Sequence, residues 1–513
     1  MSGTAGPSEG VVGTTTDTWS ELVARMREFS DLAHTTSLLG WDQETQMPLR
    51  GGDARARQMA TMRVVRHERL VDPRLGELLQ QAAAEPLDQP RQSMVRWLAR
   101  DRDRAVKLPP KFVRRLALAE GHGVNAWRVA REEGDFGLFR PALEEVIAAK
   151  REEADLVGFE GERYDALLDR YEPGMRVVRL EPLLMSLRDE LAGLLAAIVA
   201  APQLQPAPFE GRLFPDQQQW DFTMRLLTDL GYDMTAGRQD RSAHPFTQAI
   251  SLGDVRVTTR IDERNPLSAI YGTVHEAGHG MYEQGFDPRY EDTPVAEAPS
   301  LGLHESQSRL WENIVGRSLP FWEHYAPVVR EQFGDAMGDV LPEHLYRACN
   351  RVAPSLIRVN ADEVTYNLHI LIRFELELAL MRDELEVAEL PQAWNDAYQR
   401  ILGIHPENDA LGVMQDIHWS MGSFGYFPTY TLGNIYSALL WEAYAKDEQD
   451  AYGRIRRGEF QHLLDWLRTN VHRPGAIDLG EDLIRRVTGS GLDHAPFMRY
   501  LWDKYSSLYG LER

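Results

Sequence analysis

The stretch Ile270-Tyr271-Gly272-Thr273-Val274-His275-Glu276-Ala277-Gly278-His279-Gly280-Met281-Tyr282 constrains this chain more than any other. It reads H-E-x-x-H. On a helix, His275 and His279 stand at i and i+4, so both imidazoles leave one face a turn apart. Ring nitrogens so placed reach a single Zn²⁺ at roughly 2.0–2.1 Å. Glu276 is rotated off that stripe. It is close enough to a water at the metal to act as general base of a metal-assisted hydrolysis, but not to take a ligand position. Because so short a pattern also arises by chance, its surroundings matter. Pro266 stands where a first-turn proline is tolerated, and Leu267, Ile270, Val274 and Met281 form an apolar stripe. Gly278 and Gly280 each cost about 1 kcal/mol against alanine in a helix, which points to close approach of another element.

A catalytic zinc takes three protein ligands and leaves a position for water. Downstream, Gly302-Leu303-His304-Glu305-Ser306-Gln307-Ser308-Arg309-Leu310-Trp311-Glu312-Asn313 begins a second helix. The gap after His279 allows one helix to end, the chain to turn, and Glu305 to present a carboxylate. His304 is the rival ligand. Glu312, about two turns beyond Glu305, is placed to orient a ligand histidine.

The bulk composition narrows the setting. At 513 residues the chain is long enough for a large core, and its formal charge of −22 argues against nucleic-acid or anionic-membrane partners, both of which need a basic face. The single cysteine, Cys349, excludes an internal disulfide and a cysteine-rich metal site. With Leu345, Tyr346 and Ala348 as neighbours it fits a buried thiol, and this usage is compatible with a reducing, cytoplasmic location. No apolar run approaches the ~20 residues of a membrane span. Residues 1–16 are rich in Gly, Ser and Thr, without a basic or apolar leader pattern, and are expected to form a disordered tail.

From Trp19 onward the periodicity is helical, with helices expected over 52–84, 88–106, 110–133, 140–157 and 179–200. Residues 41–48 (WDQETQMP) are too polar for core and fit either a cleft lining or a capped turn. Residues 164–174 (YDALLDRYEPG) form a helix-to-turn element. The Pro-rich stretch 202–215 is the best linker candidate. It divides a single catalytic domain, 17–513, into an N-terminal helical part (17–201) and a zinc-site part (216–513). No fixed-period repeat is present, which disfavours a solenoid.

Near Thr247 the period changes to that of a strand. Residues 247–252 and 255–261 flank Gly253-Asp254 as a β-hairpin. Its edge is one on which an extended peptide pairs its backbone. Asp254, Arg256 and Thr258 share one face. Arg256 fits either a bidentate grip on a carboxylate or a salt bridge to Asp254. Arg358, Asp362 and Thr365 stand at helical spacing, so Arg358 is either paired with Asp362 at i+4 or free for substrate. The aromatic stretch that holds His418, Tyr426 and Tyr430 offers donors for an oxyanion, or an aromatic core turn with a satisfied histidine.

Taken together, HPF (His244-Pro245-Phe246), DVRVT (254–258), HEAGH (275–279), HESQ (304–307), IRVNAD (357–362) and GVMQDIHW (412–419) resemble the signature set of the carboxypeptidase Taq family of metallocarboxypeptidases. WDQETQMP and YDALLDRYEPGM also look like that family, and the resemblance runs from about Trp19 to Arg513. It implies a mainly α fold with a deep substrate groove and a small sheet beside the zinc helix. It further implies a homodimer that removes single residues from peptide C-termini, with broad specificity and poor cleavage at proline. By the same resemblance His275, His279 and Glu305 hold Zn²⁺, with Co²⁺ as the alternative ion, and Glu276 is the catalytic carboxylate. His244 and Arg256 would accept the terminal carboxylate, Arg358 would position substrate, and His418 and Tyr430 would contact the oxyanion and peptide backbone. The rival readings are a zinc endo-oligopeptidase and a helical binding protein with an inert zinc site.

Overall fold

Helices in this chain begin where a short polar side chain can accept a free backbone N–H. Asp72, Asp88, Asp135, Ser300, Ser318 and Asp362 each do so at a helix start. The computed structural model describes residues 15–512. The tail expected over 1–16 lies outside them, apart from Thr15 and Thr16, whose backbone opens the first helix.

The N-terminal helices are α1 (Thr15–Thr45), α2 (Gly52–Val71), α3 (Pro73–Ala83), α4 (Gln89–Lys107), α5 (Pro110–Glu133), α6 (Phe136–Val157), α7 (Arg163–Leu168), α8 (Val177–Ala200) and α9 (Asp216–Leu230). Strands β1 (Gly237–Arg241), β2 (Thr247–Ser251) and β3 (Asp254–Thr259) follow, and then α10 (Pro266–Glu283) and α11 (Leu301–Arg309). The remaining helices are α12 (Leu319–Phe333), α13 (Pro342–Cys349), α14 (Glu363–Met381), α15 (Leu390–Leu402), α16 (Pro428–Asp447), α17 (Ala451–Arg456), α18 (Phe460–Leu467), α19 (Gly480–Thr488) and α20 (Ala495–Tyr509). The fold is thus mainly α with one small sheet, as expected. Among the described residues no helix is long and apolar enough to cross a membrane.

The structure departs from the sequence reading at several elements. The helix expected over 52–84 is two helices, because Pro73 drives Asp72 out of the helical region (ψ 126°) and Asp72 then caps α3. Trp41, read with its polar neighbours as cleft or turn, is inside α1 and only 5% exposed. The expected hairpin forms, but β3 also takes a parallel partner, β1, giving the order β1-β3-β2. Gly237-Arg238-Gln239-Asp240-Arg241 has no β-branched or aromatic residue to announce a strand. Finally, the stretch 202–215 is largely exposed but pinned at two points, with Phe209 and Phe214 buried and the Phe214 ring edge-on to Phe333 at 5.5 Å.

The main hydrophobic core is continuous from Ala119 in α5 to Tyr509 in α20. A smaller core joins Leu22 and Met26 of α1 to Leu75 and Leu78 of α3 and Met94 and Leu98 of α4, and it also takes in Val295 and Ala476. Trp97 Nε1 donates to the Ala476 carbonyl at 2.6 Å, which ties that layer to the C-terminal region.

Helix α10 lies at the centre, packed on α9, β3 and α11. Its two glycines answer the expectation of close approach. A Cβ on Gly278 would stand 2.6 Å from the Gln307 carbonyl oxygen and 2.7 Å from Ser308 Cα, so α11 rests directly on the α10 backbone. A Cβ on Gly280 would stand 2.8 Å from the Tyr232 ring and 3.1 Å from Val257. Gly278→Ala gains ~1 kcal/mol of helix propensity but forces two backbones apart. It should lower the unfolding free energy by about 1–3 kcal/mol, as overpacking does. Denaturant unfolding reads this directly, and an unchanged or raised midpoint contradicts the packing argument.

Candidate active site

The contact at Gly278 brings α11 alongside α10, so that His275 and His279, one turn apart on α10, both meet Glu305 of α11. His279 Nε2 lies 3.3 Å and His275 Nε2 lies 3.9 Å from Glu305 Oε2. One ligand atom from each of the three residues falls within 4.8 Å of the others. The two imidazole planes are 79° apart with centroids at 4.9 Å. Two imidazoles and a carboxylate form the donor set that hydrolytic zinc sites use, so these residues fit a divalent metal. His304 is turned away. Its Nε2 meets Glu283 Oε1 at 2.8 Å, and its ring stacks on His279 at 4.4 Å.

Beyond α11 the chain continues as a π-helical turn, Leu310–Gly316. Such widened turns recur at functional sites because they re-aim side chains. Here Glu312 Oε2 meets His275 Nδ1 at 2.9 Å, a contact through which it would orient that ring. Glu305 and Glu312 share Arg309, whose Nε donates to Glu305 Oε1 at 2.6 Å and Nη1 to Glu312 Oε2 at 3.3 Å. Arg317 Nη2 donates to Glu312 Oε1 at 2.8 Å. Burial acts to raise both carboxyls. Arg309 with the two histidines outweighs it at Glu305, and Arg317 with His275 and Arg309 outweighs it at Glu312, so both stay well below the ordinary carboxylate range. The guanidiniums are themselves sheltered, Arg309 over Tyr366 at 4.4 Å and Arg317 over Tyr271 at 4.1 Å. Burial, and then the neighbouring His304, push His279 down to about 3, so its ring stays neutral and keeps a lone pair.

Glu276 is 6% exposed. The Thr247 hydroxyl on β2 donates to its Oε2 at 2.7 Å. Burial raises this carboxyl, and His275 and Thr247 oppose the rise only in part. A carboxylate with a raised pKa is suited to taking a proton near neutrality.

His418, Tyr430 and Arg358 form a second group. Tyr430 Oη lies 3.5 Å from His418 Nε2, and the Arg358 guanidinium lies 5.2 Å from the Tyr430 ring. Burial pushes His418 down to about 4 against the pull of Asp416, so it is neutral. Arg358 does not pair with Asp362. Residues Arg358–Asn360 form a 3-10 turn, Ala361 is extended, and Asp362 caps α14 through the Val364 and Thr365 N–H groups. Arg358 instead pairs with Asp416 at 2.8 Å and donates to Tyr366 Oη at 3.2 Å. Because Tyr366 also lies beneath Arg309, it links the two groups. Gly433, one turn beyond Tyr430 on α16, abuts the Glu305 side chain: a Cβ there would stand 2.5 Å from Glu305 Cγ.

The remaining two residues are not drawn into either group. His244 is exposed in the turn before β2, its carbonyl accepting from the Ser242 hydroxyl at 2.6 Å. Arg256 forms the in-strand salt bridge to Asp254, at 2.8 and 2.7 Å, and stacks on Trp41 at 4.3 Å. It does, however, stand opposite Gln248, one residue along β2 from Thr247. Thr247, Arg309, Tyr366 and Gly433 were not singled out from the sequence. Only Arg309 carried a signal there, as an i+4 partner of Glu305.

A family model described as carboxypeptidase Taq (M32) metallopeptidase matches residues 21–505. The chain is 45% identical to thermostable carboxypeptidase 1 of Thermus thermophilus over 505 residues, covering 96% of this chain and 99% of that one. Against the Pyrococcus furiosus protein of the same name it is 38% identical, covering 95% and 98%. The crystal structure of an M32 carboxypeptidase from Deinococcus radiodurans superimposes with a TM-score of 0.94 at 38% identity, over 96% of this chain and all of the other (100%).

Glu312→Gln leaves Arg317 without its buried counter-charge, leaves Arg309 only Glu305, and weakens the acceptor on His275 Nδ1. Zinc affinity, read by competition with a chromophoric chelator, should fall about 10–100-fold, as for other outer-shell partners. Wild-type affinity in that variant contradicts the role given to Glu312.

Proposed function

We propose that this chain, which belongs to the carboxypeptidase Taq (M32) family of metallopeptidases and is a metallocarboxypeptidase acting on peptides, releases single C-terminal residues at the site built on α10 and α11. One observation carries the assignment of the site: His275, His279 and Glu305 place ligand atoms within 4.8 Å of one another, with Glu276 on the adjoining position of the same helix. His275, His279 and Glu305 would hold Zn²⁺, or Co²⁺ as the alternative. That ion supplies Lewis acidity toward a water and the scissile carbonyl when bound.

The protein's own groups do the rest. Glu276 takes a proton from the attacking water and returns it to the leaving amine. Neutral His418 and the Tyr430 hydroxyl contact the oxyanion and the peptide backbone. Arg358, fixed between Asp416 and Tyr366, positions the substrate. Asp254 takes Nε and Nη2 of Arg256, so Arg256 Nη1 and the exposed His244 receive the terminal carboxylate. We further infer broad side-chain tolerance with poor release at proline, a homodimer, a cytoplasmic location, and one catalytic domain over 17–513. The family resemblance supports these properties, and the buried lone Cys349 is compatible with the location.

Mass spectrometry of a free peptide and its C-terminal amide tests this function. A ladder that loses single residues from the free peptide, abolished by chelator and absent for the amide, is expected. Internal cuts in both peptides contradict it and favour an endopeptidase; metal binding without cleavage favours an inert site. Glu276→Gln should lower kcat about 10²–10⁴-fold, the usual worth of a general base, while zinc stays bound.

The acid limb of the activity profile should lie above the ordinary glutamate value of about 4.3. Glu276 must be deprotonated to act, and burial raises its pKa. Thr247→Val removes a hydrogen bond that stabilises the anion, so the limb should move to still higher pH. A shift toward lower pH contradicts the assignment of Glu276 as base.

A further inference from the structure

Residues 163–174 supply none of the chemical groups assigned above, yet they touch the supports of both halves of the site. Tyr164 is fully buried, and its hydroxyl donates to Glu377 Oε2 at 2.7 Å. Glu377, on α14 and equally buried, also accepts the Gly425 N–H at 3.0 Å and the Trp419 Nε1–H at 2.8 Å. One carboxylate therefore gathers donors from α7 and from two points of the turn that carries His418. Four residues earlier on α14, Arg373 Nε donates to Asp416 Oδ2 at 2.7 Å. The turn is thus gripped on both sides of His418. It has no slack against α7: a Cβ on Gly425 would stand 2.7 Å from the Leu168 nitrogen.

The other end of the segment meets the start of α11. The Tyr171 carbonyl accepts the Leu301 N–H at 2.9 Å, and Glu172 Oε1 accepts the Gly302 N–H at 2.5 Å. Ser300 Oγ takes the Leu303 N–H at 3.1 Å. The first N–H groups of α11, which no helical partner can satisfy, are therefore occupied, two of them from this segment. Gly302 makes the contact possible, since a Cβ there would stand 2.8 Å from Glu172 Oε1 and 3.0 Å from Leu432 Cβ. Glu305 lies one turn further along, confined on its other side by Gly433.

We propose that residues 164–172 are a positioning element of the active site: Glu172 and the Tyr171 carbonyl set the seat of α11 and hence of Glu305, and Tyr164, through Glu377, sets the turn bearing His418. The proposal rests on Glu305 as a metal ligand and His418 as a substrate contact. Burial pushes Glu172 up to about 8 against the Gly302 N–H and the Ser300 hydroxyl. A neutral amide at this position is therefore a close mimic, and E172Q is the conservative variant.

The test measures zinc dissociation constants by chelator competition, together with kcat and KM on a peptide, for wild type, E172L, E172Q, Y164F and E305Q. E172L should weaken zinc about 10-fold or more, and E172Q should recover most of the loss. Y164F should leave zinc affinity unchanged and lower kcat about 3–10-fold, the worth of one hydrogen bond, at constant KM. Gly302→Ala keeps every polar group but displaces Glu172, so it should weaken zinc even if E172L does not fold. E305Q separates the two levels. Wild-type zinc affinity in E305Q overturns the ligand assignment itself. Loss of zinc in E305Q with wild-type zinc affinity in E172L or Gly302→Ala overturns the positioning of α11. Unchanged kcat in Y164F, or zinc loss in Y164F equal to that in E172L, overturns the separate role of Tyr164.

Discussion

Two carboxylates buried against two imidazoles set the terms for the rest of this structure. Glu305 and Glu312 must remain ionised out of water, where an isolated charge is costly. Arg309 and Arg317 offset that cost with hydrogen bonds of 2.6 and 2.8 Å, and each guanidinium needs shelter in turn. Tyr366 and Tyr271 provide aromatic faces for them. Removing one charge from such a chain leaves its partner buried and unpaired, so these residues act as a unit rather than as separate salt bridges. The π-helical turn after α11 places Glu312 where it can join His275 to this unit.

Packing around the unit is made of glycines at the points where helices touch. Gly278 admits the α11 backbone, Gly302 admits Glu172 and α16, and Gly433 admits the Glu305 side chain itself. Each gives up helix propensity for proximity. The cluster is therefore held between α10, α16 and the segment after α7, and the Glu305 carboxylate has little freedom. Such preorganisation is what a hydrolytic site requires, since a group that must move into place spends binding energy on the move.

Much of this was legible in the sequence where the relevant residues share one helix. His275, Glu276 and His279 declare their geometry through spacing alone, and Glu305 and Glu312 followed from the ligand count and the polar run around them. Legibility failed where a contact depends on tertiary assembly. Thr247 reaches Glu276 only because β2 is laid beside α10, and nothing in a strand-like run marks one threonine among several. The i+4 spacing of Arg358 and Asp362 misled, because Asp362 is a helix cap and the chain before it is not helical. Strand β1 was invisible because it consists of Gly, Arg, Gln and Asp and exists only through its pairing with β3. The proline-rich stretch 202–215 looked like a linker by composition, yet Phe209 and Phe214 anchor it in the main core.

Anomalous diffraction from crystals grown with zinc, recorded on both sides of the zinc absorption edge, tests the central claim most directly. The account predicts one strong peak at about 2.0–2.2 Å from His275 Nε2, His279 Nε2 and a Glu305 carboxylate oxygen, with Glu312 still on His275 Nδ1. A peak held by His304 and Glu283 instead, or full peptidase activity in crystals with no peak between α10 and α11, would contradict it.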